Sequence, residues 1–332
     1  MEVVEFRPTR EQYRYTFGGA EPVAVIDPGT ALRLWTEDAF GGRIRRHGDL
    51  FTAVVGDLPV NPQTGPFHVR GAEPGDTLVL HIAALSPARD WGASCAIPGF
   101  GGLTSTGRTA TLQDPLPERT WIYSVDRARG TVGFSALATD FTVDLPLAPM
   151  LGTVGVAPAQ GEVRTSMAAD AFGGNMDSPE VRAGTTCYLG VNVPGALFSV
   201  GDGHYRQGEG ESCGTAVEGA MAVTLIVDLV KGHAPAWPRL ESDDALAVIG
   251  SARPLEDAWR ISQVDMVHWL ADLHRLDLMD AYQLLSQTAR TPLANVVDTN
   301  YSCVTKVDKA LLPRVEVHEG VHDTLRLLAA TV

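Results

Sequence analysis

Apolar residues in the first two thirds of the chain follow the two-residue period of β-strands. Segments 76–85 (DTLVLHIAAL), 185–193 (TTCYLGVNV) and 215–230 (TAVEGAMAVTLIVDLV) alternate or run apolar. Pro-Gly or Asn-Pro turns bound several of them. The pattern predicts a β-rich body over residues 1–235.

After about residue 240 the apolar spacing becomes helical. The first predicted helix, 255–275, carries its apolar residues at Ala258, Ile261, Val264, Val267 and Leu270. The second, 278–290, carries Ala281, Leu284, Leu285 and Thr288 at the same spacing. Asp277 can cap the second helix and Pro292 can end it. Helices gathered behind a β-rich body predict an α+β part over residues 236–332, not alternating βαβ units.

Composition and charge narrow the class of protein. The chain has 332 residues, of which 45% are hydrophobic, and a formal net charge of −14. This charge repels phosphate backbones and anionic membranes, so we expect neither nucleic acid nor a membrane as partner. The longest apolar run, AMAVTLIVDLV, is too short and too polar to span a bilayer.

The N-terminus and the cysteines indicate a compartment. MEVVEFRPTR lacks the apolar core of a signal peptide. The four cysteines lie far apart without a C-x-x-C pair, which is typical of neither a structural zinc site nor a disulfide framework; they are Cys95, Cys187, Cys213 and Cys303. We expect a cytoplasmic protein with reduced thiols.

One carboxylate interrupts the predicted strand 215–230. The odd positions form a nearly continuous apolar face, whereas Glu218 lies on the other face among alanines. Such a carboxylate points to solvent or lines a small cavity. Most glutamates in proteins are exposed, which favours the solvent-facing position. The acidic loop just upstream can fold back over this end of the strand, however, and this favours the position in a cavity.

That upstream loop, 198–220, alternates glycine with acidic and imidazole side chains. Asp202 and His204 are two residues apart, so in an extended chain both point the same way. A carboxylate with an imidazole is an ordinary ligand set for zinc or a similar divalent ion. Glu209 and Glu211 follow, and this much negative charge would repel an anion. The loop therefore predicts a cation site.

Other candidate residues are ambiguous on their own. Asn175 and Asp177 follow two glycines and are equally typical of a turn that caps a strand. Asp38, before Phe-Gly-Gly, is just as ambiguous, and Cys213 is either a nucleophile beside Glu211 or a small half-buried residue. We expect the remaining histidines of the C-terminal third at the surface or in helix packing; they are His233, His268, His274, His318 and His322.

Five segments together resemble the acetamidase/formamidase family. They are VNPQTGPFHVRGAEPGDTLVLHI (60–82), LPLAPMLGTVGVAPA (145–159), GGNMD (173–177), VPGALFSVGDGHYRQGEGESCGTAVE (193–218) and DAYQLLSQTA (280–289). They run in family order from the N-terminal third almost to the end. The resemblance therefore covers essentially the whole chain, and the block 193–218 is too long and idiosyncratic to match by chance.

The resemblance implies a mainly β fold, with a β-sandwich or barrel body and an α+β C-terminal part, and a homo-oligomer. It also implies hydrolysis of small amides to carboxylate and ammonia. Related members act on simple aliphatic amides and, in some cases, on cyclic amides such as γ-lactams, and membership does not choose among these. Segment 89–109 fits the family as far as IPGFG. From there the sequence predicts a surface loop at 101–114, a place where substrate choice can be set.

For amide hydrolysis, one divalent ion can activate water and polarise the carbonyl. The hypothesis is that Asp177, His204 and Glu218 hold the ion, with Asp202 as a fourth ligand or as a partner of the ligands. Zinc is the expected metal, although calcium, manganese and iron also accept such ligands. Glu209 or Glu211 is the candidate general base, and Asn175 the candidate donor to the oxyanion.

Two alternatives stay open. In the first, the Cys213 thiolate attacks the amide, with a glutamate as base and Lys306 as the stabilising cation. In the second, the protein is a non-catalytic β-sandwich whose loop binds calcium and which recognises a ligand or partner. His204 argues against the second alternative, because calcium takes oxygen ligands.

Overall fold

The computed structural model describes residues 1–104, 116–314 and 316–332. Residues 105–114 of the predicted surface loop lie outside them. The described residues form 21 strands, four α-helices and four short 3₁₀ turns. The helices are α1 (Phe51–Val54), α2 (Leu255–His274), α3 (Leu278–Thr288) and α4 (Val321–Ala329).

The largest sheet runs through both the predicted body and the C-terminal part. Its nine strands lie in the order β1 (Val3–Phe6), β4 (Thr30–Thr36), β17 (Met221–Val230), β6 (Thr77–Pro87), β15 (Thr186–Gly190), β18 (Arg239–Glu241), β19 (Ala245–Ala252), β21 (Tyr301–Asp308) and β20 (Leu293–Asn295). All neighbours pair antiparallel except β1 with β4. The boundary expected at residue 235 falls between two strands of this sheet.

Three smaller sheets complete the fold. The six-stranded sheet has the order β13 (Ala169–Asp170), β14 (Gly173–Asn175), β11 (Met150–Gly155), β16 (Phe198–His204), β5 (Gln63–Val69) and β3 (Ala24–Ile26). The four-stranded sheet has the order β10 (Thr142–Pro146), β9 (Thr131–Ser135), β8 (Arg119–Asp126) and β7 (Trp91–Ala96). Strands β12 (Arg164–Thr165) and β2 (Thr16–Phe17) pair with each other.

Two apolar layers cover the faces of the nine-stranded sheet. In β6, Leu78, Leu80 and Ile82 pack in the core shared with the six-stranded sheet. Val79 of the same strand packs instead with residues of α2, α3 and α4. Because both faces are covered, these strands read as nearly continuous apolar runs. The mainly β fold with C-terminal helices that the sequence predicts is confirmed.

Both predicted helices are present, and α2 buries Ala258 and Leu270 of the expected face. Val264 of that face is 56% exposed. The buried face also includes two polar residues that the apolar spacing does not reveal, because Ser262 bonds Thr305 (2.7 Å) and Asp265 pairs with Arg239 (2.8 Å). Buried polar groups of this kind need partners across the interface. None of the helices in the described part of the chain has the length and apolar character needed to span a bilayer.

The predicted strand 215–230 is regular only from Met221. Upstream of it, Glu218 makes two isolated bridges, to Ala93 of β7 and to His204 of β16. Residue 218 thus lies where the four-stranded and six-stranded sheets meet. Its side chain is buried and lines a cavity, which is the alternative that the acidic upstream loop favours over a solvated face.

Candidate active site and metal centre

Six buried ionisable side chains line one cavity of about 220 Å³. We call them the cavity cluster: Asp177, Asp202, His204, Glu211, Glu218 and Asp298. Five of the sequence-based candidates, Asp177, Asp202, His204, Glu211 and Glu218, are therefore brought together. One ligand atom from each of Asp202, His204 and Glu218 lies within 4.8 Å of the others, and Asp177, His204 and Glu211 form a second such triad.

Unusual backbone conformations place these side chains. Asp202 and His204 end β16, and Asp177 follows β14. Asn61, Asp177, Asp202 and Glu211, which all line the cavity, have positive φ between 47° and 60°. L-residues adopt this region at an energetic cost, and such residues concentrate at functional sites. Four residues that line the cavity therefore share this uncommon backbone conformation.

Gly152 of β11 forms the floor of the cluster. A Cβ at this position would lie 2.6 Å from both Asp177 Oδ1 and Asp202 Oδ2, and 2.9 Å from His204 Cε1. Any other residue would push the two carboxylates and the imidazole apart. The missing side chain therefore lets three candidate ligands converge on one point.

Each of three carboxylates has one oxygen held in place by hydrogen bonds. Asp177 Oδ2 accepts from Asn175 Nδ2 (3.0 Å) and Asn295 Nδ2 (3.1 Å). Asp202 Oδ2 accepts from Thr153 Oγ1 (3.2 Å), and Glu218 Oε1 from the Ala216 amide (2.8 Å). The orientation of each carboxylate is therefore fixed.

The other oxygen of each carboxylate has no hydrogen-bond donor among the described residues. These atoms are Asp177 Oδ1, Asp202 Oδ1 and Glu218 Oε2, all buried. The last two lie 3.3 Å from His204 Nε2 without hydrogen-bond alignment. Buried carboxylate oxygens normally find a donor or a cation. The donorless oxygens of Asp202 and Glu218 beside His204 Nε2, with that of Asp177 in the same cavity, fit a divalent metal ion.

Burial and mutual repulsion perturb the protonation of the cluster. Burial, followed by the charge of Glu211, raises the pKa of Asp177 well above its ordinary value. Burial also raises the pKa of Glu211 strongly, that of Glu218 to about 7 and that of Asp298 to about 6. For His204, burial lowers the pKa, but Glu218 and Asp202 outweigh it and raise the pKa well above 6.5. So much buried negative charge takes up protons or a cation.

Two of the predicted catalytic residues are placed differently from the expectation. Glu209 is exposed and does not line the cavity, which leaves Glu211 as the glutamate of the loop at the site. Asn175 lines the cavity, but its amide hydrogens bond Asp177 Oδ2 and, at 2.7 Å, Asp298 Oδ2. The geometry therefore does not support Asn175 as an oxyanion donor, because it uses both hydrogens to hold carboxylates.

The residues of the covalent alternative are poorly placed. Cys213 is exposed, its Sγ lies 3.7 Å from the carbonyl of Cys95, and partial burial of the thiol together with Glu211 raises its pKa. A raised pKa disfavours the nucleophilic thiolate. Lys306 bonds Glu180 at 2.8 Å and does not line the cavity.

Asp38 is a structural residue beside the site. Its carboxylate accepts from the amides of Phe40 and Gly42 and pairs with Arg89 at 2.6 Å. Burial, followed by the charge of Glu37, raises its pKa to about 6. Asp38 thereby fixes the turn that presents Phe40 to the cavity.

Several site residues escape the sequence analysis. Asn61 donates to Asn175 Oδ1 (2.6 Å) and Thr153 Oγ1 (3.0 Å), and lies in the family-like stretch 60–82. Asp298 joins the cluster from the loop after β20. The other missed residues are Thr153, Gln207 and Asn295. The only signal in the sequence for Asn61 and Gln207 is their position inside the family-like segments.

The cavity is polar at its base and apolar at its rim. The apolar side chains that line it are Phe40, Phe51, Val60, Ile97, Phe100 and Met167. Ile97 and Phe100 belong to segment 89–109, where the sequence predicts that substrate choice is set. The cavity is smaller than the roughly 300–1,000 Å³ of pockets for drug-sized ligands.

The chain is similar to known proteins in sequence and in fold. The model of the "Acetamidase/Formamidase family" matches residues 17–171 and 159–287. The crystal structure of an acetamidase from Yersinia enterocolitica is 39% identical, with a TM-score of 0.87 over 95% of this chain and 94% of that one. A γ-lactamase from Delftia acidovorans, 20% identical, has a TM-score of 0.60 over 91% of this chain and 90% of that one, and shares the fold.

A formamidase of Methylophilus methylotrophus is 28% identical over 63% of this chain, and the match spans 61% of that protein's length. The family model covers most of the sequence, including the segments that carry Asp177, Asp202, His204, Glu211 and Glu218. The chain belongs to the acetamidase/formamidase family.

Proposed function

We propose that the protein hydrolyses small amides to a carboxylate and ammonia with the help of one divalent metal ion. The observation that carries the proposal is a set of three donorless buried carboxylate oxygens in one small cavity, of which those of Asp202 and Glu218 lie 3.3 Å from His204 Nε2. Asp177, Asp202, His204 and Glu218 would hold the ion. When bound, the ion polarises the amide carbonyl and lowers the pKa of water toward ~7.

The donor set favours zinc over calcium. One imidazole and several carboxylates suit zinc, manganese or iron, whereas calcium prefers oxygen ligands throughout. The orphaned oxygens are also already oriented by Asn175, Asn295 and Thr153. Oriented ligands discriminate better among metals, because the positions of their oxygens are set before binding.

Glu211 is the residue we assign to proton transfer. It is buried, it lines the cavity, and its raised pKa keeps a proton available near neutral pH. In the reaction R–CO–NH₂ + H₂O → R–COO⁻ + NH₄⁺, a proton must leave the attacking water and reach the departing nitrogen. A carboxyl group that can both take up and release a proton performs both transfers.

The cavity supports a small substrate. Phe40, Ile97 and Phe100 can contact an apolar acyl group while the amide reaches the cluster below. Formamide and acetamide fit these dimensions, and so does a five-membered cyclic amide. We therefore propose small linear amides first and γ-lactams as the alternative within the same site.

The test combines metal analysis with activity. Bound metals are quantified in the purified protein, and ammonia release from formamide and acetamide, together with ring opening of a γ-lactam, is followed before and after chelation. We expect about one metal per chain and activity that is lost on stripping and restored on re-addition. Activity that resists chelation but is lost on thiol alkylation would transfer the chemistry to Cys213, and metal binding without any turnover would indicate a binding protein.

A further inference from the structure

Gln207 makes three side-chain hydrogen bonds that each reach a part of the site. Its Nε2 lies 2.7 Å from the carbonyl oxygen of Asp177 and 3.0 Å from that of Ala294. Its Oε1 lies 2.8 Å from His204 Nδ1. Gln207 is half-buried in the connector after β16. Its only contact to the cavity cluster through a side chain is therefore the one to His204.

The two carbonyl contacts determine how the amide is oriented. A carbonyl oxygen only accepts hydrogen bonds, so the group that faces Asp177 and Ala294 must be the NH₂. The oxygen of the amide then faces His204, and it can only accept. His204 must consequently carry a hydrogen on Nδ1, because the orientation of the Gln207 side-chain amide enforces it.

A hydrogen on Nδ1 also determines what the other ring nitrogen of His204, Nε2, can do. A neutral imidazole with its hydrogen on Nδ1 presents a lone pair at Nε2. That atom is the one that lies 3.3 Å from Asp202 Oδ1 and Glu218 Oε2. The tautomer that Gln207 selects is therefore the only neutral one in which His204 can act as a ligand toward the converging carboxylates.

The same amide also holds two chain segments together. Asp177 has a left-handed backbone (φ 48°), and its carbonyl accepts from Gln207. Ala294 lies on β20 next to Asn295, which donates to Asp177 Oδ2. Gln207 thereby links the imidazole, the backbone of one carboxylate ligand and the strand that orients that carboxylate.

We propose that Gln207 is a positioning residue that selects the Nδ1–H tautomer of His204 and fixes the Asp177 turn against β20. The inference rests on the proposed role of His204 as a metal ligand. Gln207 itself contacts neither substrate nor reacting atoms. Its removal should therefore act through the geometry and tautomer of His204.

The matched comparison is Gln207→Leu against Asn192→Leu. Asn192 is also half-buried and donates to one carbonyl, that of Ala157 (3.1 Å), but it does not line the cavity. Titration with Zn²⁺ against a chromophoric chelator should show about 10–100-fold weaker binding for Gln207→Leu. The Asn192→Leu variant should bind Zn²⁺ as the wild type does, and the melting temperatures show whether each variant folds.

Nitrogen-15 NMR of the histidine rings tests the tautomer without reference to activity. With His204→Gln as the assignment standard, wild type should show a hydrogen-bonded Nδ1–H that is lost in Gln207→Leu. Gln207→Glu keeps an acceptor for this hydrogen but loses the donor to the two carbonyls, so it should retain the tautomer while Zn²⁺ affinity stays reduced.

Two results would overturn the inference: a neutral His204 with its hydrogen on Nε2 in wild type, or a folded Gln207→Leu variant with unchanged Zn²⁺ affinity and an unchanged tautomer. A wild-type protein that binds no metal would instead refute the proposed function. The NMR comparison would still decide the role of Gln207 in that case, because the neutral Nδ1–H form and the imidazolium both carry the Nδ1 hydrogen that faces Gln207 Oε1.

Discussion

Two groups of polar side chains in this protein each contain a buried histidine and differ in how their hydrogen bonds are satisfied. The cavity cluster collects carboxylates around His204. A second group, which we call the helix-side cluster, consists of His81, Thr186, His322 and Asp243 on the face of the large sheet that packs against α4. The sequence assigns His322 to the surface or to helix packing, and the structure buries it.

The helix-side cluster satisfies itself. His81 Nδ1 and His322 Nδ1 each lie 2.8 Å from Thr186 Oγ1, and His322 Nε2 lies 3.2 Å from Asp243 Oδ1. This chain of bonds ends at an exposed carboxylate that Arg326 also contacts. The cavity cluster, by contrast, leaves three buried oxygens without donors. A buried polar network whose members hydrogen-bond one another stabilises a fold. A network that leaves neighbouring oriented acceptors without donors is instead suited to bind a ligand.

The largest difference is expected between two alanine variants, one at His204 of the cavity cluster and one at His322 of the helix-side cluster. His204→Ala should lose the metal and lower kcat/KM by roughly 10³-fold or more, because the ion supplies several kcal/mol of transition-state stabilisation. His322→Ala should keep metal and activity but lower the free energy of unfolding by about 1–3 kcal/mol, since it removes one hydrogen-bond partner from each of Thr186 and Asp243. Elemental analysis, ammonia release and urea denaturation measure these effects. A His204→Ala protein with normal metal content and activity would remove the basis of the comparison.

A single methyl group on the cavity floor should have the next largest effect. In Gly152→Ala, the new Cβ would lie 2.6 Å from two carboxylate oxygens and force both to move. Displacements of this size can reduce catalysis by ~10²-fold, and metal affinity should fall in parallel. Gly48→Ala is the control, because a Cβ there meets nothing within 4 Å. Equal activities of the two folded variants would show that the carboxylates need not converge above residue 152.

Local signals explain which parts of the fold the sequence predicts. Asp277 caps α3 as expected, accepting from the amides of Met279 and Asp280, since a cap depends only on its next three residues. The buried face of α2 depends instead on Arg239 and Thr305, which lie on distant strands. Apolar spacing alone therefore places the helix correctly but misses the polar residues Ser262 and Asp265 on its buried face.

The same limit applies to the candidate site. Asp202 and His204 are two residues apart on one strand, so the pair is visible in the sequence. Asn61 and Asn175 are in contact although 114 residues separate them. Asp298 reaches the cluster from a loop whose sequence has no metal-ligand spacing. Non-local residues of this kind become visible only when the sheets bring them together.

Ionisable groups of the two clusters should change the free energy of unfolding in opposite directions as the pH falls. Burial, followed by the proximity of His322, lowers the pKa of His81 from 6.5 to about 4. The unfolded chain therefore binds the proton more readily than the folded one between these values. The stabilising contribution of neutral His81 is complete above pH 6.5 and is lost as pH falls through 4, an effect of roughly 2–3 kcal/mol. Carboxyl groups of the cavity cluster have raised pKa values and change the stability of the metal-free protein in the opposite direction.

His81→Gln isolates the helix-side contribution, because an amide can bond Thr186 without titrating. Urea denaturation of the metal-free protein between pH 7.5 and 4 should show a smaller acid-induced loss of stability in this variant than in wild type. Arg326 and Asp243, the other charged groups near His81, are unchanged in both proteins. Parallel pH profiles for the two proteins would mean that the folded state does not resist protonation of His81.

The smallest effect is expected at the apolar rim, which the helix-side cluster lacks. Phe100→Ala should enlarge the cavity without touching the metal ligands, so activity on acetamide and metal content should change little. The ratio of kcat/KM for butyramide to that for acetamide should rise by about tenfold, because one or two methylenes in an apolar pocket are worth ~1–3 kcal/mol. Phe141→Ala, at a 60% exposed position on the four-stranded sheet side, is the control. If both variants keep the wild-type ratio, the acyl group does not lie against Phe100, and the amide must enter the cavity in another orientation.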